Sequence, residues 1–192
     1  MSTDLATIDH AEPAPRQAEA KVWDPCVRIF HWGLVAAFLT AWATGDEVKR
    51  VHVMAGYAVI GLVAFRILWG FVGTRHARFV DFVRGPGSVT SYLRDTARLR
   101  AKRYLGHNPA GGAMIVALLI MLSIIGATGF MMTTDAFWGV AWVQGAHETA
   151  VSLTLGLVVL HILGVIVAGY EHRENLVRAM ITGRKRMETA RR

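Results

Sequence analysis

Four apolar runs, at residues 27–43, 52–72, 111–132 and 143–170, set the terms on which this chain can fold. An α-helix needs roughly 17–25 mostly apolar residues to cross a bilayer core about 30 Å thick. Lipid offers the backbone no hydrogen-bond partners, so each run has to be helical and the helices have to gather. The predicted fold is therefore all-α, an integral membrane four-helix bundle. The chain has 192 residues, 53% of them hydrophobic, which suits one such domain. We place the bundle at residues 22–186. Residues 1–21 are acidic and rich in Ala and Pro, without the basic-then-apolar order of a secretory signal, and are expected to be a disordered cytoplasmic tail. Residues 187–192 are expected to be a short basic C-terminal tail.

A formal charge of +7 raises the question of nucleic acid. The basic residues, however, sit in blocks between the apolar runs, as in membrane proteins that mark their cytoplasmic side, so nucleic acid is set aside and membrane lipid is the expected surrounding. Between the second and third spans lie Arg75, Arg78, Arg84, Arg94, Arg98, Arg100, Lys102 and Arg103 against Asp81 and Asp95, and seven more basic residues follow Tyr170. Both segments, and with them both termini, are expected on the cytoplasmic side. The two other connections are short and carry little net positive charge, which puts them on the far side. In the large loop Val89, Tyr92, Leu93, Thr96 and Leu99 recur at helical spacing among arginines, which predicts a cytoplasmic interfacial helix between spans two and three. Cys26 is the one cysteine, too few for an intramolecular disulfide, a cysteine zinc site, an iron–sulfur cluster or covalent attachment of c-type haem.

Ionisable side chains inside a membrane are costly and point to function. Four of the eight histidines, His31, His52, His147 and His161, lie in or at the ends of the spans. A single one reads as readily as an interfacial or helix-pairing residue; their joint geometry does not. His147 and His161 are 14 residues apart, so they fall within roughly 40° of one helix face and about 21 Å apart along it. With alternating spans, His161 shares one membrane half with His31, and His147 shares the other with His52. Two pairs result, one per leaflet, and neutral imidazole is a natural axial ligand for haem iron. Gly56 and Gly164, each about one turn past a ligand, leave room for a macrocycle or simply for helix packing. Arg66, inside the second span, needs an anion, for which a haem propionate is the candidate; the plainer alternative is a snorkelling arginine. His172 lies 11 residues beyond His161 on a similar face, where it serves as a quinone or proton site, as an alternative to His161, or merely as an interfacial histidine. Glu171 and Glu174 on that side, and Asp46, Glu47 and Glu148 on the other, are further candidates for a proton acceptor, with neither side preferred. His10, His76 and His107 are weaker candidates.

These residues resemble the prokaryotic cytochrome b561 family, which includes the b-type cytochrome subunits of nickel–iron hydrogenases. The resemblance is carried by V-W-D-P-C-V-R-I-F-H-W ending at Trp32, V-H-V-M-A-G-Y around His52, and R-I-L-W-G-F-V-G-T-R-H-A-R-F from Arg66. It continues in Y-L-G-H-N-P-A-G-G before the third span, H-E-T from His147, and H-R-E-N-L-V-R-A-M-I-T-G-R-K-R from His172. It implies a four-helix cytochrome of the bacterial inner membrane with two haem b groups, whose ligand positions match His31, His52, His147 and His161. It also implies electron exchange between quinone and a redox partner, such as a cytochrome c or a dehydrogenase or hydrogenase subunit. Hydrogenase cytochromes are usually somewhat longer, so a stand-alone cytochrome, or one serving a small cytochrome c, is the expectation. A superoxide-oxidising quinone reductase is a minority reading. From another class comes a histidine-lined transporter or metal-binding protein, against which the spans lack intramembrane carboxylates.

Overall fold

The structure is a computed structural model and describes residues 19–45 and 47–187. The expectations for residues 1–18 and 188–192, with His10 and Asp46, lie outside the described residues. The helices are α1 (Pro25–Thr44), α2 (Lys49–Val72), α3 (Phe79–Phe82), α4 (Pro86–Ala97), α5 (Pro109–Met131), α6 (Ala141–Glu171) and α7 (Leu176–Thr182), with strands β1 (Glu19–Lys21) and β2 (Arg184–Arg186). Four of them, α1, α2, α5 and α6, are long and apolar enough to cross a membrane. Their bounds lie within three residues of the expected spans.

Local chemistry sets the ends. Asp24 caps α1, its Oδ1 accepting the Val27 amide at 2.9 Å, with Pro25 opening the helix. Its other oxygen accepts Trp69 Nε1 and the Thr74 hydroxyl, tying the start of α1 to the end of α2. Burial works to raise the Asp24 pKa, but the bonds from Thr74, Val27 and Trp69 outweigh it and the carboxyl is held below its ordinary value. Asn108 caps α5 in the same way, before Pro109. α6 ends where Arg173 takes the left-handed conformation, φ +51°, and the Glu174 amide reaches back to the Gly169 carbonyl.

Consecutive spans pack together, α1 on α2, α2 on α5 and α5 on α6, around Phe30, Phe38, Val59, Val63, Leu119 and Leu122. Their outer faces stay open: Leu39, Leu68, Ile120, Leu160 and Ile166 are all exposed. A face this apolar suits lipid and would be untenable in water.

The described chain ends meet at one end of the bundle, the terminal end. There β1 pairs antiparallel with β2, Glu19 opposite Arg186 and Lys21 opposite Arg184, and Val22 and Trp23 are buried against Ala179. Residues 19–21, placed in the tail by composition, are thus part of a strand, because Arg184–Arg186 offer a free edge and the buried Trp23 anchors the chain immediately beyond it. Nearby Glu174 sits between Arg103 and Lys185. Between α2 and α5, α4 takes in Val89, Tyr92, Leu93 and Thr96 of the stretch expected to be helical but ends before Leu99, which turns out of the helix with φ +52°. Its Tyr92 is buried beside Tyr104 and Leu93 is exposed, so the apolar stripe divides between protein and surroundings.

Candidate functional site

α6 keeps its backbone away from α1 and α2 while its histidines face theirs. His161 and His31 have ring centres 6.5 Å apart, and His147 and His52 6.2 Å apart. These are the pairs expected from the sequence. Two imidazole nitrogens ligating one metal at about 2.0 Å each place their ring centres roughly 6 Å apart, so both pairs fit an iron between them. At the terminal end His31 lies six residues into α1 and Arg66 six residues before the end of α2, both about 9 Å in.

The opposite-end pair is oriented by hydrogen bonds. His52 Nδ1 lies 2.8 Å from the Ala41 carbonyl, one of the carbonyls left over at the end of α1. His147 Nδ1 lies 3.1 Å from both the Ile125 carbonyl and Thr128 Oγ1. Thr128 spends its single proton on the Ile124 carbonyl at 2.7 Å, so it accepts here and His147 Nδ1 donates. Both rings therefore carry their proton on Nδ1 and leave Nε2 free as a ligand, the outer-shell arrangement that metal-bound histidines use. In the terminal-end pair His31 Nδ1 is buried without a partner, and its ring stands edge-on to Trp32 at 5.1 Å. Thr128 and the Ala41 carbonyl escaped the sequence reading, since nothing marks a back-bonded threonine as a histidine's partner before the helices are packed.

A Cβ on Gly56 or Gly164 meets nothing within 4 Å, so neither glycine stands at a close helix contact. At Gly129, which the sequence did not single out, a Cβ would come 3.3 Å from His147 Cε1. Arg66 is only 2% exposed, between the Phe79 and Phe82 rings at 5.2 and 5.8 Å, with Nη1 unpartnered and no carboxylate within 4 Å among the described residues. A buried guanidinium left this way requires an anion.

His172 caps the end of α6, and His161, not His172, faces His31. His172 Nε2 and Glu171 Oε2 are buried without partners, while Glu171 Oε1 accepts the Ala101 amide. Glu174 is committed to Arg103 and Lys185. At the opposite end Glu148 bonds Gln144 at 2.9 Å. Among the described residues no three His, Cys, Asp or Glu side chains converge as a cage for a metal ion. Imidazoles meet in twos.

Four spanning helices with imidazoles paired at two depths define a class, the multi-pass membrane cytochromes of b type. Compared with known proteins, the chain matches the model of the prokaryotic cytochrome b561 family over residues 22–183, and it belongs to that family. It is similar to the probable Ni/Fe-hydrogenase B-type cytochrome subunit of Rhizobium leguminosarum bv. viciae, with 23% identity covering 94% of this chain and 95% of that one. The protein of the same description from Rhodobacter capsulatus is 25% identical, covering 95% and 87%. That from Azotobacter vinelandii is 23% identical, covering 74% and 71%. No solved structure matches the chain significantly. The chain is thus a membrane haem b protein of electron transport.

Proposed function

We propose that the chain binds two b haems, one between His31 and His161 and one between His52 and His147, and passes electrons between membrane quinone and a redox partner. The observation that carries this is the pair of imidazole couples, 6.5 and 6.2 Å between ring centres, displayed by one helix at two depths. His31 with His161, and His52 with His147, would hold the haem iron, which would supply one-electron exchange there. Ala41, Ile125 and Thr128 hold the opposite-end imidazoles in the ligating tautomer. Arg66 would supply a positive charge to a propionate.

The terminal end carries the arginine-rich loop and tail, which supports a cytoplasmic orientation for it. On the same charge argument α4, with its exposed Leu93 among arginines, lies at the membrane surface. His172, with an unpartnered Nε2 beside Glu171, is the residue we assign to quinone or proton exchange at that end. For the partner, the likeness to hydrogenase cytochrome subunits over nearly the full chain favours a redox enzyme subunit, and a small cytochrome c is the second reading.

A pyridine haemochrome assay with a reduced-minus-oxidised spectrum on the detergent-purified protein tests the core of this. Two non-covalent b haems per chain are expected. A protein that stays colourless when expressed with ample haem overturns the reading.

A further inference from the structure

Among the buried nitrogens without a partner at the terminal end, two lie on different elements beside one aromatic ring: Arg66 Nη1 on α2, and His107 Nδ1 in the segment entering α5. Both residues border the Phe82 ring, with the Arg66 guanidinium carbon 5.8 Å and the His107 ring 4.8 Å from its centre. The His107 ring is half-buried, with its Nδ1 turned inward. Its other neighbour is the Trp23 ring at 4.5 Å, and Asn108, immediately after it, is fixed as the cap of α5. Before it, Gly106 lies under His76, where a Cβ would come 3.1 Å from Nδ1. An unmatched buried donor is costly, and more so when charged. Arg66 Nη1 is such a donor, and in the tautomer that carries its proton on Nδ1 His107 is a second beside the same ring, so one acceptor would satisfy both.

The surroundings say what its charge is. The groups acting on His107 are Arg66 from α2, Lys185 from β2, His76 from the loop after α2, and His161 from α6, all of them bases. Burial and these neighbours push its pKa down to about 3, so the ring is neutral at physiological pH. Asp24, the carboxylate that acts on Arg66, is already satisfied by Val27, Trp69 and Thr74. The acceptor is thus an anion from outside the described chain, and one carboxylate has an oxygen for each donor.

We propose that His107 is the second anchor, beside Arg66, for a propionate of the haem held between His31 and His161. This rests on the haem reading above and makes His107 a positioning residue for that haem. The spectrum of the unmodified protein separates the two claims, because absence of haem defeats the earlier reading before any variant is made.

The test is potentiometric titration of the full-length cytochrome in detergent, with resonance Raman of the propionate bending band. His107→Phe keeps a ring against Trp23 and Phe82 and deletes the donor; His107→Asn keeps an N–H near the Nδ1 position. His107→Phe is expected to retain both haems and to shift the band. It should also disfavour reduction of the His31/His161 haem at least threefold, ~30 mV for one electron, because a carboxylate that has lost a hydrogen bond keeps more of its negative charge and favours ferric iron. His107→Asn should restore both readouts, and the His52/His147 haem should not respond to either change. If His107→Phe does not accumulate, His107→Gln, whose amide reaches past the Nδ1 position, should show the same losses. An unchanged band and potential with both haems in place overturns the proposal. So does a raised KM for quinol with unchanged potentials, which would assign the donors to a quinone carbonyl instead.

Discussion

Replacing His161 with Ala should remove one haem and spare the other. His161 is the only imidazole of α6 that faces His31, and the second pair uses His147 from a point 14 residues earlier on the same helix. That offset places the two sites about 21 Å apart along α6. At this distance, with an effective dielectric near 20, a unit charge at one site changes the energy of a charge at the other by on the order of 0.8 kcal/mol. Loss of the His31/His161 haem should therefore move the midpoint potential of its neighbour by no more than roughly 35 mV. Haem content should fall from two per chain to one in the pyridine haemochrome assay. His147→Ala should do the converse, and external imidazole should restore the missing haem in each, since the cavity is left in place. Two low-spin haems with unchanged spectra in either variant would refute the assignment. So would loss of both haems from each variant while its circular dichroism remains that of the native helical bundle, because the pairs would then not be separate sites.

Other expectations rest on particular contacts. Gly112 lies where a Cβ would come 2.6 Å from the Phe82 carbonyl, so Gly112→Ala should destabilise the α3–α5 approach by about 1–3 kcal/mol, read as a lower temperature for thermal loss of Soret absorbance. Burial works to raise the Glu174 pKa, but Arg103 and Lys185 overcome it and hold the carboxyl below the ordinary 4.5. The stability it contributes is thus complete above about pH 4.5 and drains away as pH falls through the lowered value; Glu174→Gln should flatten the pH dependence of thermal stability below pH 4.5. His172→Ala should slow quinol oxidation severalfold with both haems retained, and an unaltered steady-state rate would remove His172 from the quinone or proton site.

The spans were legible because their signal is local: a run of apolar residues that lipid forces into a helix says where the helix is without knowing its neighbours. The histidine pairs were legible for a related reason, since periodicity along α6 fixes two depths and alternation of the spans assigns a partner at each. The features that escaped depend on contacts between residues far apart in sequence. Glu19–Lys21 are polar, three residues long and without periodicity, and become a strand only because Arg184–Arg186 pass alongside. Thr128 resembles any threonine that bonds back along its own helix until α6 brings His147 to it. His107 is the clearest instance. Its sequence position, in a polar loop next to arginines, reads as solvent, yet Trp23 from before α1 and Phe82 from α3 close over it, and Lys185 from β2 adds its charge. Three elements separated by most of the chain create the surroundings in which its free nitrogen acquires meaning. The candidate ligands can be read from the spacing along α6 and the alternation of the spans, whereas the residues packed around them have to be read from the folded molecule.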